Sequence, residues 1–136
     1  MHSTIISFND SPLTQKDTKY SEDTIYEMMS KERKLDGVKE ITEACDFQNI
    51  LTYFIKNGYI YQRQVEVKPD GIVIHMDYDT LIDAMYQACD DLGEYWFMND
   101  GYEMVTMKDY FRILLQNHMG EDTLDMKLVQ AWDYHY

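Results

Sequence analysis

The sequence is poor in the residues that mark unusual protein classes. Its 136 residues include only 2 prolines and 6 glycines, which excludes a low-complexity or disordered chain. Cys45 and Cys89 are too few for a disulfide framework, and their helical apolar surroundings predict two small buried hydrophobes. The hydrophobic fraction of 45% and the aromatic fraction of 14% are enough for one core.

Long apolar runs are also missing. No run exceeds four residues, so the sequence predicts no transmembrane helix. The first residues lack the basic segment and apolar stretch that are typical of a secretory signal. We therefore expect a cytoplasmic protein, which would act in the cytoplasm of the host cell if the protein is viral.

Positive charge is scarce, and its distribution is uneven. The chain has 12 Lys and Arg against 25 Asp and Glu, a net charge of −13. Residues 1–68 hold 11 acidic and 9 basic side chains, whereas residues 69–136 hold 14 acidic and only 3 basic side chains. A local net charge of −11 repels nucleic acids and anionic membranes and attracts basic protein surfaces. This asymmetry predicts a basic protein partner and no direct binding of nucleic acid or membrane.

Periodicity and turn residues predict an α+β fold of about five helices and one or two antiparallel β-hairpins. We expect a single compact domain over residues 21–136. Residues 1–20 are mostly polar, with a short apolar patch at Ile5, Ile6 and Phe8, and predict a flexible tail to which that patch could add a short strand.

Capping residues delimit the predicted helices. The first begins at Ser21 and stops at Gly37, and the second covers about residues 38–57 and stops at Gly58. Asp77 or Asp79 caps the third, whose apolar face is Leu81, Met85, Ala88 and Leu92. The fourth begins at Thr106 and stops at Gly120, and the fifth covers about residues 122–132 through Leu124, Leu128 and Trp132.

Two hairpins lie between these helices. Alternation over residues 59–68, the turn Pro69-Asp70-Gly71 and the apolar residues 72–76 predict the first. A second hairpin is expected over residues 96–105, about Asn99-Asp100-Gly101. The alternative is a duplication, because residues 53–59 resemble residues 96–102. In that case the third helix would continue to about Asn99 and stop at Gly101.

The third helix carries the main candidate surface. At 100° per residue, Asp79, Asp83, Asp90 and Glu94 share one face, in a row about 22 Å long. No Lys or Arg lies between Lys68 and Lys108 to relieve their repulsion. The face is either an ordinary solvated surface or a docking surface for Lys and Arg. We assign as candidate partner-binding residues Asp79, Asp83, Asp90, Asp91, Glu94, Asp100 and Glu103.

Two helical stretches resemble a known family. Residues 81–91, Leu-Ile-Asp-Ala-Met-Tyr-Gln-Ala-Cys-Asp-Asp, and residues 108–114, Lys-Asp-Tyr-Phe-Arg-Ile-Leu, are similar to stretches of phage DNA-mimic antirestriction proteins. The resemblance covers 18 of 136 residues. It implies inhibition of a DNA-binding enzyme, and it carries over no catalytic residue.

A second motif suggests catalysis. Residues 72–81, Ile-Val-Ile-His-Met-Asp-Tyr-Asp-Thr-Leu, resemble the first motif of haloacid-dehalogenase-type phosphotransferases. The resemblance implies that Asp77 is a nucleophile and Asp79 a general acid/base, with Mg²⁺ as cofactor. A strand followed by an Asp that caps a helix explains the same residues, and we favour the cap.

The four histidines, His2, His75, His118 and His135, show no ligand spacing with either cysteine, so we expect no metal and no cofactor. The favoured hypothesis is an acidic inhibitor or decoy of a basic, nucleic-acid-binding enzyme, such as a phage anti-restriction or anti-CRISPR protein. The alternatives are an immunity protein against a nuclease toxin, a small magnesium-dependent phosphatase and an assembly subunit. The sequence also leaves open whether the protein forms a homodimer.

Overall fold

A computed structural model describes residues 2–88, 95–99 and 103–136. Its class is α+β, as predicted: the described ranges form one seven-stranded sheet with four α-helices, rather than about five, and a short 3₁₀ helix at Gln62–Gln64. No helix there is long and apolar enough to cross a membrane. The strands are β1 His2–Asn9, β2 Gly37–Glu40, β3 Val65–Lys68, β4 Gly71–Asp77, β5 Tyr95–Asn99, β6 Glu103–Thr106 and β7 Thr123–His135. The helices are α1 Glu22–Ser30, α2 Ala44–Lys56, α3 Tyr78–Gln87 and α4 Met107–Asn117.

The order of the strands is β3-β4-β7-β1-β5-β6, and β2 pairs with the second half of β7. Strands β1 and β5 are parallel, and all other pairs are antiparallel. The 13-residue β7 therefore pairs with β4 and β2 on one side and with β1 on the other.

The predicted fifth helix over residues 122–132 is wrong, because residues 123–132 belong to β7. Leu124 and Leu128 are four residues apart, which fits the helical period and is also a multiple of the strand period of two, whereas Trp132 lies on the other face of the sheet. Met126, which is also buried, completes the strand alternation. The segment forms a strand rather than a helix because both edges of β7 pair with neighbouring strands.

The predicted flexible tail is wrong for His2–Asn9. These residues form β1, between β7 and β5, and Ile5 and Ile6 are fully buried. Because both faces of the sheet are covered there, apolar residues occur next to each other instead of alternating. The expected short strand is thus a central one, and residues 10–20 contain no helix or strand.

The two faces of the sheet have different cores. Ile6 packs in a cluster with residues of α2, α3 and α4, such as Phe54, Leu81 and Phe111. Ile5 packs in a second cluster with Trp132 and residues of α1. Successive side chains of a strand point to opposite faces, so α1 covers the face opposite to the other three helices.

A bulge in β7 keeps both clusters apolar. Ser7 pairs with Gln130, but Phe8 pairs with Leu128, so Val129 is the extra residue. The residues of β7 that face α2, α3 and α4 are Leu124, Met126 and Leu128 before the bulge and Ala131 after it. The bulge thereby turns Trp132 and Tyr134 toward α1.

The second helix begins later than predicted. Residues 38–43 are not helical, because Gly37–Glu40 forms β2 against the end of β7, and α2 starts at Ala44. The predicted stop at Gly58 is confirmed by its positive φ of 77°. Cys45 is exposed near the start of α2, so the prediction of a buried thiol is wrong there. Cys89 lies outside the described residues.

The hairpin and cap predictions are largely confirmed. Strands β3 and β4 are joined by Pro69-Asp70, although the first strand begins only at Val65. Strands β5 and β6 also pair antiparallel. The duplication alternative is wrong, because Tyr95–Asn99 is a strand and not the end of a helix. Ser21 and Thr106 cap α1 and α4 through their hydroxyl oxygens.

Candidate functional site

The exposed face of α3 carries two of the predicted partner-binding residues. Asp79 and Asp83 are exposed and lie one helical turn apart. Leu81 and Ala84 are buried on the opposite face of the helix. Tyr86, with 66% of its surface exposed, falls within about 60° of the two carboxylates at 100° per residue. The face therefore combines two carboxylates with a large aromatic ring.

Of the other predicted partner-binding residues, the structure describes only Glu103. Helix α3 covers Tyr78–Gln87 with Ala88 as its C-terminal cap, and of the predicted row of carboxylates it carries Asp79 and Asp83. Glu103 is exposed at the start of β6, an outer strand of the sheet, where it pairs with Asn99. The remaining predicted residues lie outside the described ranges: Asp90, Asp91, Glu94 and Asp100.

Few carboxylates are neutralised by Lys or Arg. In the described ranges only two such pairs form, Asp109 with Arg112 at 3.5 Å and Asp17 with Lys127 at 2.8 Å. Within the same ranges, Asp79 and Asp83 lie within 4.0 Å of no cationic nitrogen. Their negative charge is therefore directed to solvent.

Asp77, the nucleophile implied by the phosphotransferase resemblance, caps α3. Its Oδ1 accepts a hydrogen bond from the backbone N–H of Thr80 at 2.8 Å, and the Thr80 hydroxyl accepts one from the Asp77 N–H at 3.2 Å. The bond from the Thr80 backbone holds the pKa of Asp77 below its usual value. Strand β4, which leads to Asp77, is antiparallel to both β3 and β7. A strand followed by a capped helix thus accounts for the motif.

A cleft of about 240 Å³ lies beside His118, which sequence reasoning treated as an ordinary surface residue. His118 Nε2 lies 2.8 Å from Asp10 Oδ2, and His118 Nδ1 lies 2.5 Å from Glu121 Oε2. Burial lowers the pKa of His118, but the two carboxylates outweigh it, so the pKa is raised above its ordinary value. The spacing His118-x-x-Glu121 was the only sequence signal, since Asp10 comes from the other end of the chain.

His75 has a similar environment on the sheet surface. Its Nε2 lies 2.6 Å from Glu66 Oε2 on β3, and its Nδ1 lies 2.7 Å from Asp125 Oδ1 on β7. These hydrogen bonds, first that to Glu66 and then that to Asp125, raise the pKa of His75. The imidazolium form therefore links three neighbouring strands.

A third cluster joins the two ends of the chain. His2 on β1 is the register partner of His135 on β7, and Asp133 lies two residues before His135. His2 Nδ1 lies 3.0 Å from Asp133 Oδ2, and His135 Nε2 lies 3.9 Å from the same oxygen. The sequence search for ligand spacing missed this cluster because β1 was not recognised as the neighbour of β7.

Of the two stretches that resemble antirestriction proteins, residues 81–87 lie on α3 and residues 108–114 lie on α4, and the two helices pack on the same face of the sheet. Comparison of the chain with protein-family models, with curated proteins and with solved structures finds no match. The likeness to that family rests on these two helical stretches.

Proposed function

We propose that this protein is an acidic inhibitor that binds the basic surface of a nucleic-acid-binding enzyme, as phage anti-defence proteins do. The exposed face of α3 is the observation that supports the proposal, because Asp79 and Asp83 lie on it with no cationic nitrogen within 4.0 Å in the part of the chain that the structure describes. We propose that Glu103 and the sequence-predicted residues Asp90, Asp91, Glu94 and Asp100 contribute to partner binding as well. No catalytic residue is needed for such a role.

The charge of the α3 face suits a partner that binds phosphates. Enzymes that act on nucleic acids hold the backbone with Lys and Arg. Asp79 and Asp83 are about 6 Å apart along the helix axis and offer such side chains an alternative anion. Because neither carboxylate has a cationic neighbour among the described residues, binding breaks no existing ion pair in this protein.

The aromatic part of the face supports binding as well. Tyr86 is more exposed than a large ring usually is, and Tyr78 at the start of α3 is also exposed. Tyrosine is enriched in the buried centre of protein interfaces, where its ring packs and its hydroxyl donates a hydrogen bond. Charge would set the rate and orientation of association, while Tyr86 would supply contact area.

Differential capture tests the proposal. The immobilised wild-type protein should retain one basic protein from a lysate of the source cell or its infected host, identified by mass spectrometry. The Asp79→Asn/Asp83→Asn variant should lose that protein. A Glu27→Gln/Glu32→Gln variant removes the same charge from exposed residues in and after α1, on the opposite face of the sheet, and should retain it.

The identity of the captured protein separates two versions of the function. A restriction or CRISPR nuclease would support the anti-defence role, and a toxin nuclease would support an immunity protein. Inhibition of the captured enzyme should be stoichiometric. Equal capture by all three proteins, or none by wild type, would contradict a docking role for α3.

The protein itself should not bind nucleic acid. The net charge of −11 over residues 69–136 opposes contact with phosphates. A gel shift with DNA or RNA at about 150 mM salt, where the Debye length is ~8 Å, should show no complex. A sub-micromolar complex would contradict the proposal.

A further inference from the structure

We propose that His2, Asp133 and His135 form a binding site for a divalent transition-metal ion, with Zn²⁺ as the best-fitting ion. One ligand atom of each residue lies within 4.8 Å of the others. The cluster is at the opposite end of the 13-residue β7 from Thr123, which pairs with Asp77 at the start of α3. The inference is therefore independent of the partner surface.

The register of the sheet makes these side chains converge. His2 and His135 are directly opposite in an antiparallel pair, so their Cβ atoms are about 5 Å apart on one face. Asp133 shares that face with His135, because residues two apart in a strand point the same way. The two imidazole rings are already in contact, with centroids 3.9 Å apart.

The distances suit a small ion. Ligand atoms held about 2.0–2.2 Å from a zinc ion are about 3–3.5 Å from one another. The observed separations from Asp133 Oδ2 are 3.0 Å to His2 Nδ1 and 3.9 Å to His135 Nε2. Small side-chain rotations would bring all three atoms into range, and the ion would replace the His2–Asp133 hydrogen bond.

The site is open to an incoming ion. The side chains of His2, Asp133 and His135 are 61%, 40% and 44% exposed. On β2 the register partner of His135 is Gly37, and a Cβ added at Gly37 would meet nothing within 4 Å. Space beside His135 is therefore left for the ion and its remaining ligands, such as water.

The arrangement of ligand atoms in this cluster differs from that in the other two histidine clusters. His75 and His118 each have two carboxylate partners, but one partner contacts Nδ1 and the other contacts Nε2. An imidazole offers a metal only one of its nitrogens, so those carboxylates cannot join it at the same ion. In the described part of the chain, only His2, Asp133 and His135 converge.

The donor set determines which ions should bind. Two imidazoles and one carboxylate suit Zn²⁺, Co²⁺ and Ni²⁺, whereas Mg²⁺ and Ca²⁺ prefer sites built mainly from oxygen. Lys39, the exposed register partner of Asp133 on β2, places a cation beside the site. We therefore expect Lys39→Ala to strengthen metal binding.

Titration of the chain, purified without a histidine tag, tests the site. Cobalt should bind in one equivalent with a visible absorption band, and Zn²⁺ but not Mg²⁺ should displace it. His135→Ala and Asp133→Asn should each weaken binding at least about tenfold, as loss of metal-site groups does. His75→Ala removes a histidine from a divergent cluster and should leave binding unchanged.

Circular dichroism of each variant controls for folding. Adventitious binding is shown if His75→Ala weakens the cobalt complex as much as His135→Ala does, and the proposal is then wrong. It is also wrong if the wild type binds no cobalt, or if Mg²⁺ displaces the ion as well as Zn²⁺ does. A stronger cobalt complex in Lys39→Ala would add support, and a weaker one would contradict the assigned position of the ion.

Discussion

Strand β7 and helix α3 differ in whether their charged side chains have partners within the fold. On β7, Asp125 lies 2.7 Å from His75, Lys127 lies 2.8 Å from Asp17 and Asp133 lies 3.0 Å from His2. On α3, Asp79 and Asp83 have no such partner in the described ranges. The charges of β7 are thus matched within the fold, while those of α3 are left for solvent or another molecule.

The apolar residues of the two elements differ in a related way. Strand β7 contributes to the cores on both faces of the sheet, and Ala131, Trp132 and Tyr134 are completely buried. Helix α3 buries one side and exposes the other. The comparison indicates that β7 stabilises the fold, whereas the outer face of α3 can change without harming it.

The largest expected effect is at Trp132. Replacement by Ala should lower the free energy of unfolding by about 3–5 kcal/mol, as removal of a large buried ring does. Its Nε1 has no hydrogen-bond partner among the described residues, so the loss is one of packing. Urea denaturation measures it, and Tyr86→Ala on α3 is the matched control, with an expected change within about 0.5 kcal/mol. Similar losses in both variants would show that the outer face of α3 stabilises the fold as much as β7 does.

A smaller effect is expected at the start of α3. Asp77→Ala removes the cap and should cost about 0.5–2 kcal/mol, whereas Asp77→Asn keeps an equivalent cap and should cost little. Thermal melts of the two variants measure the difference. Asp77→Asn also tests the phosphatase alternative, because it removes the carboxylate nucleophile while keeping the helix. A magnesium-dependent phosphatase activity that is present in wild type and lost in this variant would contradict the inhibitor proposal.

The histidine clusters that border β7 predict a pH dependence. The folded-state pKa values of His75 and His118 are raised above the ordinary value of 6.5. Their stabilising contribution is complete below the unfolded-state pKa and is lost as the pH rises through the folded-state pKa. The free energy of unfolding should therefore fall as the pH increases above about 6.5.

Replacement of His118 tests this dependence. His118→Gln should reduce the fall in stability between pH 6.5 and alkaline pH, and a second replacement, His75→Gln, should reduce it further. Denaturant midpoints at several pH values measure the effect. An unchanged pH profile in the double variant would show that these ion pairs contribute nothing to stability.

The smallest expected change in stability is on the outer face of α3. Asp79→Asn/Asp83→Asn removes two like charges one turn apart, so the free energy of unfolding should stay equal or rise by up to about 0.5 kcal/mol. Thermal melts at low salt measure it. A clear loss of stability would mean that these carboxylates serve the fold, as the charges of β7 do.

Local signals predicted the elements that depend on a few neighbouring residues. The caps at Ser21, Asp77 and Thr106 and the turn at Pro69-Asp70 are satisfied within three or four residues, so the sequence shows them directly. Strands β2 and β7 were missed, and β1 was expected only as a short addition to a tail, because β7 pairs with β1 and β2 across the length of the chain. A short apolar patch such as Ile5-Ile6 carries no information about a partner more than a hundred residues away.

The same distinction applies to the candidate sites. Exposure of Asp79 and Asp83 followed from helical spacing alone. The clusters around His2, His75 and His118 combine residues from distant strands and loops, and only the pairs Asp133-x-His135 and His118-x-x-Glu121 are close in the sequence. Charge asymmetry is visible in a sequence, but the pairing that cancels some of those charges depends on the fold.

The most direct test of the account is the affinity of the captured partner for three proteins: wild type, Asp79→Asn/Asp83→Asn and Glu27→Gln/Glu32→Gln. Calorimetry at about 0.1 M and about 1 M salt, where the Debye length falls from ~10 to ~3 Å, separates charge from other contacts. We expect the α3 variant to lose roughly 0.5–2 kcal/mol of binding free energy per residue at low salt and to depend less on salt, while the α1 variant matches wild type. Equal affinity and equal salt dependence in all three proteins, with unchanged melts, would show that the α3 face is only solvated and would contradict the account.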